Sequence, residues 1–237
     1  MNLEIAIHCF SYQCRLNWML NSILQQEGDK PDITVSISYT PNQGNPTTES
    51  VINFFKEKGL NILSLELLPN EAPNRAIPRN IRAKETNADW ILFADSDIVY
   101  DPFFFSYIKK KLETEQWKNE SRVIGAHRHS LDDKFCIKYF EEDKMEYPCF
   151  IPNVAEITKA WPVKWVRGKD IAAGFFQLAR VSRIRERGSV YSGRRRDVWR
   201  NTKSDRQFRV HLGGRVGMDT LPQYHLNHDR QGPEIQR

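Results

Sequence analysis

Two carboxylates separated by one residue, Asp95-Ser96-Asp97, follow directly on the apolar run Trp90-Ile91-Leu92-Phe93-Ala94. Acidic groups delivered where a buried strand opens into a loop can face a hard divalent cation and the oxygens of a diphosphate together, and Mg2+ or Mn2+ suits such oxygen donors. In an isolated loop the same triplet often serves only as a solvated turn or a helix cap. Here its setting adds weight, because Ile98-Val99-Tyr100-Asp101-Pro102 then turns the chain into a helix. Arginine crowds the last quarter of the chain, from Arg180 to Arg215, within a formal net charge of +5. A cationic stretch of this kind fits a nucleotide diphosphate, an anionic lipid surface or a nucleic acid; a solvated surface face is the plainer alternative.

The elements that must position these groups read as follows. Glu4 to Phe10 is a short apolar strand, and Leu16, Met19, Leu20, Ile23 and Leu24 after it have helical spacing. Ile33 to Tyr39 is rich in β-branched residues and ends in the loop Thr40 to Pro46. Thr48-Glu49-Ser50 starts a helix that Gly59 stops, Asn61 to Leu68 is a third strand, Ile77 to Thr86 a third helix, and Asp89 to Ala94 a buried strand. The order βαβαβαβ predicts a mostly parallel sheet with helices on both faces and ligands beyond the carboxyl ends of its strands. Pro102 to Glu113 reads as a helix, Arg122 to Ala126 as a strand and Ala172 to Ala179 as another, while 131–169 carries no clear pattern.

At 237 residues the chain suits one α/β domain rather than two. Asp95, Asp97, Asp101 and Pro102 interrupt the most apolar windows before they reach the length of a membrane span. The opening Met1-Asn2-Leu3-Glu4 runs straight into a strand pattern without the basic and apolar regions of a secretory signal. Cys9, Cys14, Cys136 and Cys149 have neither zinc spacing nor a disulfide framework. The expectation is a cytoplasmic protein with reduced thiols, with peripheral membrane attachment as a variant that the basic stretch allows.

A resemblance then becomes specific. Ile77-Pro78-Arg79-Asn80, followed by Ala88 and the run Asp89 to Asp97, resembles the signature of GT-A-fold glycosyltransferases, in particular the large family 2 group. The opening Ile5-Ala6-Ile7, Tyr12, Arg15 and Ser22-Ile23-Leu24-Gln25-Gln26 is similar to the start of that family, so the resemblance covers about the first hundred residues. It implies an α/β, Rossmann-like mixed sheet in a single domain. Residues 1–101 would form the nucleotide-sugar-binding half, and residues 102–237 an acceptor-binding half ending in a metal-ligand tail. It further implies that Tyr12, Arg15, Asn42, Arg79, Asn80, Asp95 and Ser96 serve the donor, and that Asp97, with Asp95, binds the metal. Many relatives carry an acidic residue after the second strand to read the base; this chain has Tyr39-Thr40-Pro41-Asn42 there, which leaves Asn42 as the candidate.

In the second half, Ala172-Ala173-Gly174 resembles the small-residue acceptor-side strand, with Gly174 allowing close approach of substrate. Ser204-Asp205-Arg206-Gln207-Phe208 resembles a reduced form of the family's general-base motif, making Asp205 the candidate base and Asp197 its rival. His225-Leu226-Asn227-His228 is similar to the C-terminal run of galactosyltransferase-like members, which implies His228, and His225 with it, as metal ligands. The function implied is metal-dependent transfer of a sugar from a nucleoside-diphosphate sugar, a UDP-sugar first, to a hydroxyl on a saccharide or lipid-linked saccharide. Mn2+ or Mg2+ would be the cofactor, and the configuration would invert if Asp205 is the base. Two alternatives stay open: a hydroxymethylated DNA base as acceptor, met by the arginines with Trp199 and Phe208, and a basic binding module without turnover. A nucleotidyltransferase is disfavoured, because His8-Cys9-Phe10-Ser11-Tyr12-Gln13 holds no glycine for a phosphate loop.

Overall fold

The computed structural model of the protein describes residues 1–43, 46–114, 117, 123–124, 129–130, 145–152, 154, 176–186 and 223–225. Within them, strands β1 (Asn2–His8), β2 (Asp32–Tyr39), β3 (Ile62–Glu66) and β4 (Trp90–Asp95) alternate with helices α1 (Gln13–Leu24), α2 (Thr48–Glu57) and α3 (Ala76–Glu85). There follow β5 (Ile98–Tyr100), α4 (Phe104–Leu112), β6 (His129–Ser130), β7 (Phe176–Arg180), α5 (Val181–Glu186) and β8 (Gln223–His225). The main sheet has the order β3-β2-β1-β4-β7, parallel except for β7, which runs antiparallel to β4 with Leu92 opposite Leu178.

The near-continuous apolar character of β1 and β4 follows from burial on both faces, as expected of strands covered by helices on each side. Side chains alternate along each strand. Leu3, Ile5 and Ile7, with Trp90, Leu92 and Ala94, join the larger core, which takes Leu16, Met19, Leu20 and Ile23 from α1, Phe55 from α2 and Phe104, Phe105 and Ile108 from α4. Among the described residues the opposite face is thin. Its buried apolar cluster is Ala6, Ala83, Ile91, Phe93 and Val181, with Ile184 packed against it, under α3 and α5.

From β1 the chain moves outward through β2 and β3, then returns to the other side of β1 with β4. The strand order therefore reverses between β1 and β4, and the crevice at their carboxyl ends is the ligand position that such sheets provide. Helix α1 contacts more than the sheet. Its buried amides at Asn17 and Asn21, with Gln25 one turn on, grip an extended segment: Cys149 N–H donates to Asn17 Oδ1 (3.0 Å), Ile151 N–H to Asn21 Oδ1 (2.9 Å), and Gln25 Nε2 to the Ile151 carbonyl (2.7 Å). Polar side chains at this four-residue spacing pair backbone groups that no element pairs among the described residues.

Helix α2 begins at Thr47, whose Oγ1 accepts from Ser50 N–H at 3.2 Å, and the chain leaves it at Gly59, in the left-handed region at φ 96°. Thr47→Ala is expected to lower stability by about 1 kcal/mol, equivalent to ~2–4 °C in Tm for a domain of this size. Thermal denaturation checks it, and an unchanged Tm would remove the cap from the account.

The structure corrects one expected turn. Ile98-Val99-Tyr100 forms a buried strand, because β8 pairs antiparallel with it and β6 lies parallel on the far side of β8. The tail, for which the sequence pattern names no element, supplies that partner. In the expected strand 122–126, Ile124 makes a single bridge to Leu178, with backbone hydrogen bonds of 2.7 and 2.9 Å. Within the expected strand 172–179, the described part begins at Phe176 and continues to Arg180. Cys9 and Cys149 are free thiols, and no helix among the described residues is long and apolar enough to cross a membrane.

Candidate active site

Asp95 is the last residue of β4 and His8 the last of β1, and the two are register partners at the switch point. Strand alternation turns both toward α3. That helix begins with Arg75 at its N-cap and carries Arg79 one turn later, so both guanidinium groups project over the strand ends. Arg75 Nη1 lies 3.1 Å and Arg79 Nη2 3.4 Å from the same oxygen, Asp95 Oδ1. Arg79 is buried and its guanidinium also sits 5.8 Å from the Phe93 ring centroid, whereas Arg75 is largely exposed. One carboxylate thus holds two guanidiniums, one fixed by packing and the other reaching from the surface. Guanidinium forks of this kind match phosphate oxygens.

Asp97 faces the other wall. Arg15, in the first turn of α1, places Nη1 3.9 Å from Asp97 Oδ2, and its guanidinium lies 5.6 Å from the Tyr12 ring centroid. Ser96 between the two aspartates is buried. The connection that bears these residues is held from behind by α1. Tyr100 N–H donates to Ser22 Oγ (3.1 Å), Gln26 Nε2 donates to the Asp101 carbonyl (2.7 Å), and Phe105 N–H donates to Gln26 Oε1 (3.1 Å). The Ser22-to-Gln26 run of the sequence resemblance therefore anchors the acidic loop.

The neighbouring loops are constrained as well. Ser11, after β1, has φ 62°, and Asn42, after β2, has φ 57°. Left-handed backbone is unusual for residues other than glycine and is held only where the surroundings fix it. Gln13 Nε2 donates to the Gln43 carbonyl at 3.0 Å, tying the two loops together. The Asn42 side chain is exposed, while its backbone N–H donates to Glu49 Oε1 at 2.8 Å.

Two participants escape the sequence reading, His8 and Arg75. Burial pushes the His8 imidazole below its ordinary pKa, with Arg75 and Arg79 acting in the same direction against a hydrogen bond to the Ala72 backbone and the charge of Asp95. His8 Nδ1 is buried without a hydrogen-bond partner among the described residues. The signal for Arg75 was its four-residue spacing from Arg79; that for His8 was its place as the last alternate residue on the Glu4, Ala6 face.

Of the remaining sequence candidates, Asn80 follows Arg79 on α3. His225 lies on β8 directly opposite Ile98, one residue beyond Asp97, so the backbone of the tail returns beside the acidic loop. Gly174, Asp197, Asp205 and His228 lie outside the described residues. Among the described residues no group of three or more His, Cys, Asp and Glu side chains forms a ready-made cage. A pair of carboxylates at a strand end nevertheless fits Mg2+ or Mn2+ when the rest of the coordination comes from substrate phosphates and water. The two carboxylates are hard oxygen donors, and Asp97 Oδ1 is shielded from solvent.

The first of the late arginines serve the fold. The Arg180 guanidinium lies 5.0 Å from the Trp90 ring centroid, and Arg185 Nη2 donates to the Thr86 carbonyl and, at 3.4 Å, to that of Lys84, at the end of α3. At these two positions the positive charge has a partner within the protein, an aromatic face and a helix C-terminus.

The mostly parallel sheet flanked by helices has the GT-A fold, shared with solved glycosyltransferase structures. No protein-family model and no curated protein matches the sequence. Among solved structures the chain is similar to S. aureus TarS 1-349, at TM-score 0.57 and 13% identity over 81% of this chain and 51% of that one. The same protein in complex with UDP gives TM-score 0.56 at 14% identity, again over 81% of this chain and 51% of that one. The mannosyltransferase PcManGT from Pyrobaculum calidifontis, in complex with GDP-Man and Mn2+, gives TM-score 0.51 at 13% identity over 80% of this chain and 47% of that one. The chain spans about half the length of these structures.

Proposed function

We propose that the protein is a metal-dependent glycosyltransferase that moves a sugar from a nucleoside-diphosphate sugar, a UDP-sugar first, to a hydroxyl of a saccharide or lipid-linked saccharide. The observation that carries the reading is the meeting of Asp95 and Asp97 with the guanidiniums of Arg15, Arg75 and Arg79 at the switch point of the sheet. Three cations and two carboxylates at one strand end make a receptor for an anion that arrives with a divalent ion. The UDP and GDP-Man complexes of similarly folded proteins support that choice of ligand.

In this reading Asp97, with Asp95 beside it, would hold Mn2+ or Mg2+, and His225 and His228 would complete the set from the tail. The bound ion would supply neutralisation of the charge that builds on the leaving diphosphate. The protein's own part is positional and electrostatic. Arg79, held by Phe93, and Arg75 exchange part of their hold on Asp95 for phosphate oxygens, while Arg15 orients Asp97. The acceptor hydroxyl attacks the anomeric carbon, the bond to the diphosphate oxygen breaks, and the hydroxyl proton passes to a carboxylate, Asp205 or its rival Asp197. Gly174 would leave room for the acceptor.

A panel of nucleotide-sugars, each with and without Mn2+, tests the proposal by thermal shift and by donor hydrolysis. At about a hundred times the dissociation constant, the true donor is expected to add ~2.7 kcal/mol, or roughly 5–10 °C in Tm. Stabilisation should require the metal. If no nucleotide-sugar, UDP or GDP moves the Tm with either Mn2+ or Mg2+, the assignment fails.

A further inference from the structure

Glu4 is an anomaly in a buried strand. Its carboxylate is 3% exposed, on a strand otherwise filled with Leu3, Ile5, Ala6 and Ile7. Its partners come from two elements. Arg82 of α3 donates from Nε to Glu4 Oε1 at 2.8 Å and from Nη2 to Oε2 at 3.0 Å, and Ser36 Oγ of β2 donates to Oε1 at 2.7 Å. A bidentate fork fixes both distance and rotation, unlike a point contact. Arg82 lies three residues after Arg79 and seven after Arg75, so one face of α3 presents Arg75 and Arg79 to Asp95 and Arg82 to Glu4.

Among the described residues, apolar packing on this side of the sheet offers α3 only a small cluster to register against. That cluster holds five described buried residues, two of them alanines, and Ala83 is the one from α3. The side chain α3 itself contributes there, Ala83, is small, so its apolar contact fixes the height and roll of the helix only weakly. A buried ion pair seldom adds net stability relative to apolar residues of the same volume, so its retention here points to geometry.

We propose that Glu4, Arg82 and Ser36 form a positioning clamp that sets the height and roll of α3 on the sheet, so that Arg75 and Arg79 reach Asp95 and a bound diphosphate. The clamp acts through α3 and touches no substrate. Its link to the donor rests on the function proposed above, and its effect on α3 does not.

Two variants separate positioning from mere stability. Arg82→Lys keeps the charge and loses the fork; the triple variant Glu4→Leu, Ser36→Ala, Arg82→Leu removes every polar partner together and leaves no buried charge. Hydrogen exchange of residues 76–85 and the dissociation constant of UDP with Mn2+ are measured for each. In both variants α3 is expected to exchange about tenfold faster while α1 and β4 keep their protection. UDP should bind roughly tenfold more weakly, although the Tm of the triple variant stays near that of the parent. Parental α3 exchange and parental UDP affinity in Arg82→Lys overturn the clamp, whether or not the triple variant folds. If the unaltered protein binds neither UDP nor GDP, the function proposal fails, and the exchange rates of α3 still decide the clamp.

Discussion

Asp97→Ala is expected to lower Mn2+-dependent donor turnover by roughly 10²–10³-fold, the scale on which removing one group that stabilises developing charge is felt. Asp97 follows the last residue of β4 by two positions, and Ser22 of α1 with Gln26 just beyond that helix fixes the loop behind it. Those contacts involve the backbone of Tyr100, Asp101 and Phe105, none of which the substitution touches. The variant should therefore fold, with a Tm within a few degrees of the parent, and fail in catalysis. Single-turnover donor hydrolysis across a Mn2+ titration is the measurement. Parental turnover in Asp97→Ala would discard the metal assignment and revive the basic binding module.

The second large effect is structural. Phe104 is fully buried, with ring centroids 5.1 Å from Tyr100, 5.1 Å from Phe105 and 5.9 Å from Phe176, so a single side chain joins α4, β5 and β7. Phe104→Ala leaves a cavity in the larger core and is expected to cost about 3–5 kcal/mol, or ~10 °C in Tm. The cavity lies beside Tyr100, two residues after β5 begins, so loss of order in the acidic loop should precede global melting. Phe103, adjacent in sequence and half exposed, is the control: Phe103→Ala should stay within ~0.5 kcal/mol. Equal losses from the two would mean that the aromatic cluster does not carry the load assigned to it. Urea denaturation of both variants, with donor turnover followed at increasing temperature, decides the matter.

Much of the first hundred residues was legible because its signals are local. Leu16, Met19, Leu20 and Ile23 repeat at helical spacing, Gly59 ends α2, and the apolar run from Trp90 ends at two acids; each feature depends only on near neighbours. The three-residue stretch Ile98 to Tyr100 reads as a turn by itself, because its strand partner lies far away in the tail. Arg75 and His8 were missed for a similar reason. An arginine before a helix and a histidine closing an apolar strand have no chemical meaning until α3 lies across the ends of β1 and β4.

Asp95-Ser96-Asp97 marks the division between the two kinds of information. The sequence alone determined that two carboxylates stand at the end of a buried strand, since alternation and hydrophobicity place them there whatever the partners. Only the tertiary structure decided that Asp95 is shared by two arginines of α3 while Asp97 meets Arg15 of α1. Side-chain charge is a property of the residue, but electrostatic partnership falls off with distance and depends on helices packed from opposite faces of the sheet. The same holds for Glu4, a polar fault in the strand pattern until Arg82 is brought over it by the fold.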